Sequence, residues 1–308
     1  MVSGELRPQI MLLPLITDNS ELTTDNSPVT THHSPLLLTF DFTNRFLMNL
    51  SLEGKTAVVC GSTQGIGLAT AEELALLGAN CILLARNESS LQEALQKLDI
   101  GNRQLHSYQV ADFSKPEQVK AIANAIVAAQ PVHILINNTG GPPPGPIIDA
   151  GEDEFIAAFN QHLICNHILA KAVVPGMKEA RYGRIINIIS TSVKIPNKNL
   201  GVSNTIRGGV ASWSKTMANE LGQFNITVNN VLPGYTMTRR LRSLIETNAA
   251  KRNVAHDTIE KEMMHDIPLK RFGEASEIGA MAAFLATPAA SYVNGVSIQV
   301  DGGRVGSI

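Results

Sequence analysis

From Lys55 onward the chain alternates short apolar runs with helix-like stretches, and few architectures accommodate that order. Thr56–Gly61 (TAVVCG) is an apolar run that stops at glycine, as a strand buried on both faces does. Cys81–Arg86, Leu105–Asp112 and His133–Gly140 read as further strands. Between them lie helix-like segments at Gly67–Ala79, Ser89–Leu98 (with Ser89 as the capping residue) and Lys115–Gln130. A long helix around Phe155–Met177, a strand over Gly183–Ser190 and a helix over Thr205–Phe224 follow. Val210, Trp213, Met217 and Leu221 give that last helix an apolar spine at helical spacing. Ile226–Gly234 and Val296–Gly303 complete the strands. Strands alternating with helices make a parallel sheet covered on both faces. Right-handed crossovers then place a ligand crevice at the carboxyl ends of the strands. The expected fold class is therefore α/β: a doubly wound, Rossmann-type parallel sheet with helices on both faces, as one domain over residues 48–308.

Composition narrows the function. The 308 residues, 44% of them hydrophobic, suffice for one sizeable core, and a net charge of -2 offers nothing to attract nucleic acid or an anionic membrane. No apolar run approaches the roughly 20 residues needed to span a bilayer. Cys60, Cys81 and Cys165 are odd in number and widely spaced. That pattern is neither a disulfide framework nor a zinc site, so a reducing, cytoplasmic setting and no metal are expected. The first 47 residues contain no lysine, are rich in Thr, Ser, Asn and Pro, and lack periodicity. They read as a disordered tail or a misassigned start, with the functional chain beginning at Met48. Ile10–Ile16 is short and apolar like a signal-peptide core, but it contains Pro14, follows a single basic residue, Arg7, and has no small-residue cleavage site close behind.

Cys60–Gly67 (CGSTQGIG) joins the first strand to the first helix. Gly61, Gly65 and Gly67 permit a tight turn and close approach of backbone to a pyrophosphate. Ser62, Gln64 and Ile66 lie between them, where the opening helix presents unpaired N–H groups to phosphate oxygens. Position between strand and helix is what raises such a glycine triplet above chance.

With these residues in place the chain resembles the short-chain dehydrogenases/reductases, from about Leu52 to Gly303. GSTQGIG resembles the family's glycine motif, and NNTG (Asn137–Gly140) its Asn-Asn-Ala-Gly motif. NIIS (Asn187–Ser190) ends at the position of the catalytic serine. PGYTMT (Pro233–Thr238) resembles the segment whose threonine holds the nicotinamide amide, and VDGG (Val300–Gly303) the final strand and turn. In overall pattern the chain resembles the family's 3-oxoacyl-acyl-carrier-protein reductases. The resemblance implies a nicotinamide cofactor touched by Asp112, Phe113, Asn138, Gly140, Pro233, Gly234 and Thr238, besides the glycine loop. It also implies a small carbonyl or acyl-thioester substrate and a homodimer or homotetramer built on the two long helices. At the end of the second strand stand Ala85 and Arg86 where NAD enzymes tend to carry an acid. An arginine fork suits a 2′-phosphate, so NADP(H) is expected over NAD(H).

The family works with Asn, Ser, Tyr and Lys. Ser190 keeps the serine place. Counting back from Pro175 puts His162 at the asparagine position, Ser203 at the tyrosine and Arg207 at the lysine. Serine is a far weaker acid than tyrosine, and arginine does not release protons as lysine can. Arg207 can still grip ribose hydroxyls or a carbonyl oxygen, while Ser190 and Ser203 orient the carbonyl. His162, of a residue type that titrates near pH 6.5, is the expected proton donor or else merely fills a helix position. Tyr235 is a second candidate for the missing phenol, or a packing residue; Lys194, four residues after Ser190, offers a weaker Ser–Lys reading. Two outcomes stay open: a reductase with an altered site, or a dinucleotide-binding sensor or scaffold with little turnover. Gly140–Phe155, stiffened by Pro142, Pro143 and Pro144, should edge the crevice. Arg239, Arg240, Arg242, Lys251 and Arg252 make the next segment a basic lid or a solvated helix face.

Overall fold

The structure is a computed structural model that describes residues 48–306. The expectation for residues 1–47 lies outside the described residues. Seven parallel strands form one sheet in the order β3-β2-β1-β4-β5-β6-β7. They are β1 (Thr56–Cys60), β2 (Asn80–Ala85), β3 (Ser107–Val110), β4 (Ile134–Asn137), β5 (Gly183–Ile188), β6 (Ile226–Pro233) and β7 (Ser297–Val300). The order reverses between β1 and β4, which opens the crevice at that switch point.

The inner strands β1, β2 and β4 read as apolar runs because each is buried on both faces, whereas the edge strand β3 alternates exposed Ser107 and Gln109 with half-buried Tyr108 and Val110. In β1, Ala57 and Val59 face one core while Val58 and Cys60 face the other. In β2, Cys81 and Leu83 alternate with Ile82 and Leu84 in the same way. The first core is covered by α1 (Gly65–Leu76), α2 (Glu88–Leu95) and α9 (Ala275–Ala286); the second by α3 (Pro116–Ala129), α5 (Cys165–Glu179) and α6 (Gly201–Leu221). All three cysteines are buried and unpaired. No described helix is long and apolar enough to cross a membrane, and the described residues hold no cluster of His, Cys, Asp and Glu suited to a metal ion.

Four details depart from the sequence reading. Helix α2 is capped by Asn87, whose Oδ1 accepts from the Ser90 N–H at 2.8 Å, rather than by Ser89. The long helix expected at Phe155–Met177 is α4 (Glu152–Phe159) and α5 joined by a π-helical turn, Asn160–Ile164. Helix α6 starts four residues earlier than expected, so Ser203 and Arg207 stand one turn apart on it. Helix α9 was not read at all, although Glu274 and Glu277 form a capping box at its start. Across the middle of the sheet runs a line of polar side chains in register. Asn137 Nδ2 donates to Asn187 Oδ1 (2.8 Å), Asn187 Nδ2 to Asn230 Oδ1 (3.0 Å), and Asn230 Nδ2 to Ser297 Oγ (3.1 Å). Buried amides need such partners, and the neighbouring strand supplies one to each amide nitrogen, while Asn137 Oδ1 at the end of the line is left without one.

Candidate active site

A cleft of about 730 Å³ opens at the carboxyl ends of the strands. One end is walled by the loop after β1. Gly61 adopts φ +59°, and a Cβ there would fall 2.5 Å from the Asn138 carbonyl oxygen. Asn138 braces the loop by donating from Nδ2 to the carbonyls of Cys60 and Gly61, both at 3.3 Å. The start of α1 carries no side-chain cap and no acid in its first turn. Gln64, Gly65 and Ile66, at this helix start, line the cleft, and no side chain caps the helix there. Such a cradle fits a diphosphate.

Most of the expected cofactor residues line this cleft: Gly61, Gln64, Gly65, Ile66, Arg86, Asp112, Phe113, Asn138, Gly140, Pro233, Gly234 and Thr238. Ser62 and Gly67 do not. The Ser62 side chain is buried and donates from Oγ to the Leu84 carbonyl at 3.5 Å, turned away from the crevice. Gly67 serves packing: a Cβ there would lie 2.1 Å from the Gly61 oxygen. Thr63, passed over in the sequence, does line the cleft. Asp112 is held below the usual carboxylate range by the N–H and hydroxyl of Ser114, with smaller help from Lys115 and Arg86.

At the opposite end Ser190, Ser203, Arg207 and Tyr235 share the cleft wall. Ser190 ends the β5 segment, and its Oγ accepts from the Ser192 N–H at 3.1 Å, which leaves its own proton free to donate. Ser203 and Arg207 are buried on α6. Arg207 donates from Nη1 to the Ile188 carbonyl at 3.1 Å. Burial, with the nearby charge of Arg240, lowers its pKa to about 10, so it stays cationic at neutral pH. Tyr235 meets Arg304, whose Nη2 donates to the phenol oxygen at 3.3 Å while the guanidinium lies 4.4 Å from the ring centroid.

The surroundings of His162 bear on its two expected roles, proton donor or helix filler. The π turn, in which the Cys165 N–H bonds back to Asn160, sets the ring under the cleft rather than in its wall. Its Nδ1 lies 2.6 Å from Thr139 Oγ1, and its Nε2 is buried with no partner. Burial, then the charges of Arg207 and Arg240, push its pKa down to about 3. At neutral pH the ring carries no spare proton of the kind a general acid needs. Lys194 is exposed and outside the cleft, which removes the Ser–Lys reading. Of its basic residues, helix α7 (Arg239–Arg252) places only Arg239 and Arg240 on the cleft; Arg252 pairs with Glu262 of α8 (His256–His265).

The family model described as Enoyl-(Acyl carrier protein) reductase matches residues 61–304. The chain belongs to the short-chain dehydrogenase/reductase family. It is 34% identical to the 3-oxoacyl-[acyl-carrier-protein] reductase FabG of Pseudomonas aeruginosa, over 82% of this chain and 98% of that one. It is 30% identical to the NADPH-dependent reductase BacG of Bacillus subtilis, over 82% of this chain and 99% of that one. The solved L-sorbose reductase of Gluconobacter frateurii, complexed with NADPH and L-sorbose, superposes with a TM-score of 0.80 at 28% identity, over 85% of this chain and all (100%) of that one. As a short-chain dehydrogenase/reductase, the chain is thus related over nearly all its described length to oxidoreductases.

Proposed function

We propose that this short-chain dehydrogenase/reductase reduces the carbonyl of a small molecule with NADP(H). The observation that carries this reading is one cleft with a diphosphate cradle and Arg86 at one end, and Ser190, Ser203, Arg207 and Tyr235 at the other. The bound nicotinamide supplies the hydride. Arg86 meets the 2′-phosphate of the cofactor, and relatives named for NADPH use support that preference. Thr238 holds the nicotinamide end. Ser190 and Ser203 orient the carbonyl through their hydroxyls, and Arg207, in the place of the family's lysine, stabilises the charge that builds on its oxygen. Tyr235 takes the role first assigned to His162. It is a phenol on the cleft wall with a guanidinium beside it, which stabilises the phenol oxygen as its proton moves to the substrate. A 3-oxoacyl thioester is one candidate substrate, given the FabG relatives.

Three buried, unpaired cysteines suit a reducing cytoplasm. Exposed Ile156 and Phe159 on α4 suit a homodimer or homotetramer. We also read residues 48–308 as the functional domain. One observation favours a sensor without turnover: His162, where the family has asparagine, is a neutral ring with an unpartnered nitrogen.

Titration with NADPH and NADH, followed by a panel of ketones, oxo acids and β-ketoacyl thioesters under cofactor absorbance, tests the reading. Tight NADPH binding with turnover is expected. Binding with no turnover across the panel would turn the assignment to the sensor.

A further inference from the structure

Charge divides the cleft unevenly. Five arginines line it, Arg86, Arg207, Arg239, Arg240 and Arg304, against a single acid, Asp112. Asp112 sits after β3 beside Arg86 and is tied to Ser114, so it belongs to the end away from Ser190. The end bearing Ser190 and Ser203 holds cations and no carboxylate.

Arg207 is the clearest case. It is 9% exposed, its hydrogen bond goes to a neutral carbonyl, and none of the three ion pairs among the described residues includes it. Arg240 approaches from the rim closely enough to repel it. Arg240 is itself held in place. Its guanidinium rests where a side chain at Gly141 would stand, 2.7 Å from that Cβ position, and donates from Nη2 to the Pro142 carbonyl at 3.2 Å. The remaining N–H groups of Arg240 have no carboxylate partner among the described residues. Arg304, a third cation on this wall, has a buried Nε without a partner. His162 beneath them is neutral and adds no negative charge.

A buried cation without a counter-ion is costly, and a second cation facing it adds to the cost. Both costs disappear when an anion enters between them. Guanidinium forks match a carboxylate in shape as well as charge. Apolar Ile189, Leu241 and Leu244 line the same end and suit the carbon body of such a molecule.

We propose that the substrate is an oxo acid whose carboxylate lies between Arg240 at the rim and Arg207 on the floor, beside the carbonyl held at Ser190 and Ser203. The proposal rests on the reductase reading of the cleft but has its own binding test. A panel of unreactive carboxylic acids, 4-phenylbutanoate among them, is titrated by calorimetry into the NADP⁺-loaded protein, each against its neutral amide. At least one acid is expected to bind about tenfold or more tighter than its amide, the scale of a charge-assisted hydrogen bond. Arg240→Gln should abolish that preference and leave NADP⁺ affinity unchanged, with Arg240→Lys recovering part of it. No acid in the panel binding tighter than its amide overturns the proposal. So does an Arg240→Gln variant that loses NADP⁺ affinity instead, since Arg240 would then serve the cofactor's phosphates. Preference for coenzyme A over acids, kept in the presence of NADP⁺, overturns it in favour of a phosphopantetheine phosphate. Absence of turnover with acid binding intact would defeat the reductase reading and leave the anion site standing.

Discussion

Thr139 Oγ1 and His162 Nδ1 lie 2.6 Å apart, and that bond fixes a buried imidazole beneath two arginines. The ring's pKa falls to about 3, against about 6.5 in the unfolded chain. Between those values the unfolded chain takes up a proton that the folded ring refuses. Stability contributed by the neutral ring is therefore complete above about pH 6.5 and lost as pH falls toward 3, by up to roughly 1.4 kcal/mol per unit. Thermal unfolding followed from pH 7.5 to 4.5 should show this slope, and His162→Asn should flatten it. His133, also lowered by burial, acts with the same sign and leaves a residual slope. An unaltered profile in the variant would remove His162 from the acid response.

Tyr235 and His162 make opposite predictions for turnover. If the phenol beside Arg304 donates the proton, Tyr235→Phe lowers kcat by about 10²- to 10⁴-fold, the usual range for a general acid, while NADPH affinity holds. His162→Asn should then change kcat far less. Single-turnover rates with saturating NADPH decide between them. A large loss in His162→Asn with Tyr235→Phe near wild type would return the proton to the histidine.

Arg86 is the residue on which the proposed preference for NADP(H) is tested. It lies at the end of β2, lines the cleft, and has no acid at Ala85 to compete for a ribose hydroxyl. Arg86→Ala should raise the KM for NADPH about ten- to a hundredfold, as expected for loss of a hydrogen-bonded charge, and leave NADH little changed. Equal losses with both cofactors would mean that Arg86 shapes the adenosine end without reading the phosphate.

The sheet was legible because parallel strands buried twice must be continuously apolar, and 57–60 and 81–85 are. The glycine loop was legible for a similar reason: a positive φ at Gly61 and a 2.5 Å approach to Asn138 leave no room for another residue. The line Asn137–Asn187–Asn230–Ser297 was not. Each of those residues is ordinary in its own strand, and only register across four strands joins them. Which of the two readings of His162 applies, proton donor or helix filler, was not legible because local sequence carries no measure of burial. Burial at the π turn Asn160–Ile164 and two arginines distant in sequence change a residue that titrates near neutrality into one that does not. Arg240 could not be told from its basic neighbours, read together as a basic lid or a solvated helix face, since only tertiary contact with Gly141 and Pro142 separates it from Arg252, which pairs with Glu262 on the surface.

Gly67 offers a test of the cradle that leaves every cleft-lining side chain in place. A methyl group at this position would lie 2.1 Å from the Gly61 oxygen and 2.6 Å from Asn138 Nδ2. Both are the atoms that tie the loop to β4, so neither can withdraw without breaking the brace. Gly67→Ala should destabilise the fold by about 1–3 kcal/mol, the range for forced overpacking. It should weaken NADPH more than that strain alone would, because the start of α1 must shift away from the diphosphate. Denaturant unfolding gives the first quantity, and NADPH titration of the fraction that remains folded gives the second. Full NADPH affinity in a destabilised Gly67→Ala protein would separate the packing of the loop from its grip on phosphate, and the cradle would then rest on Gly61 and Gly65.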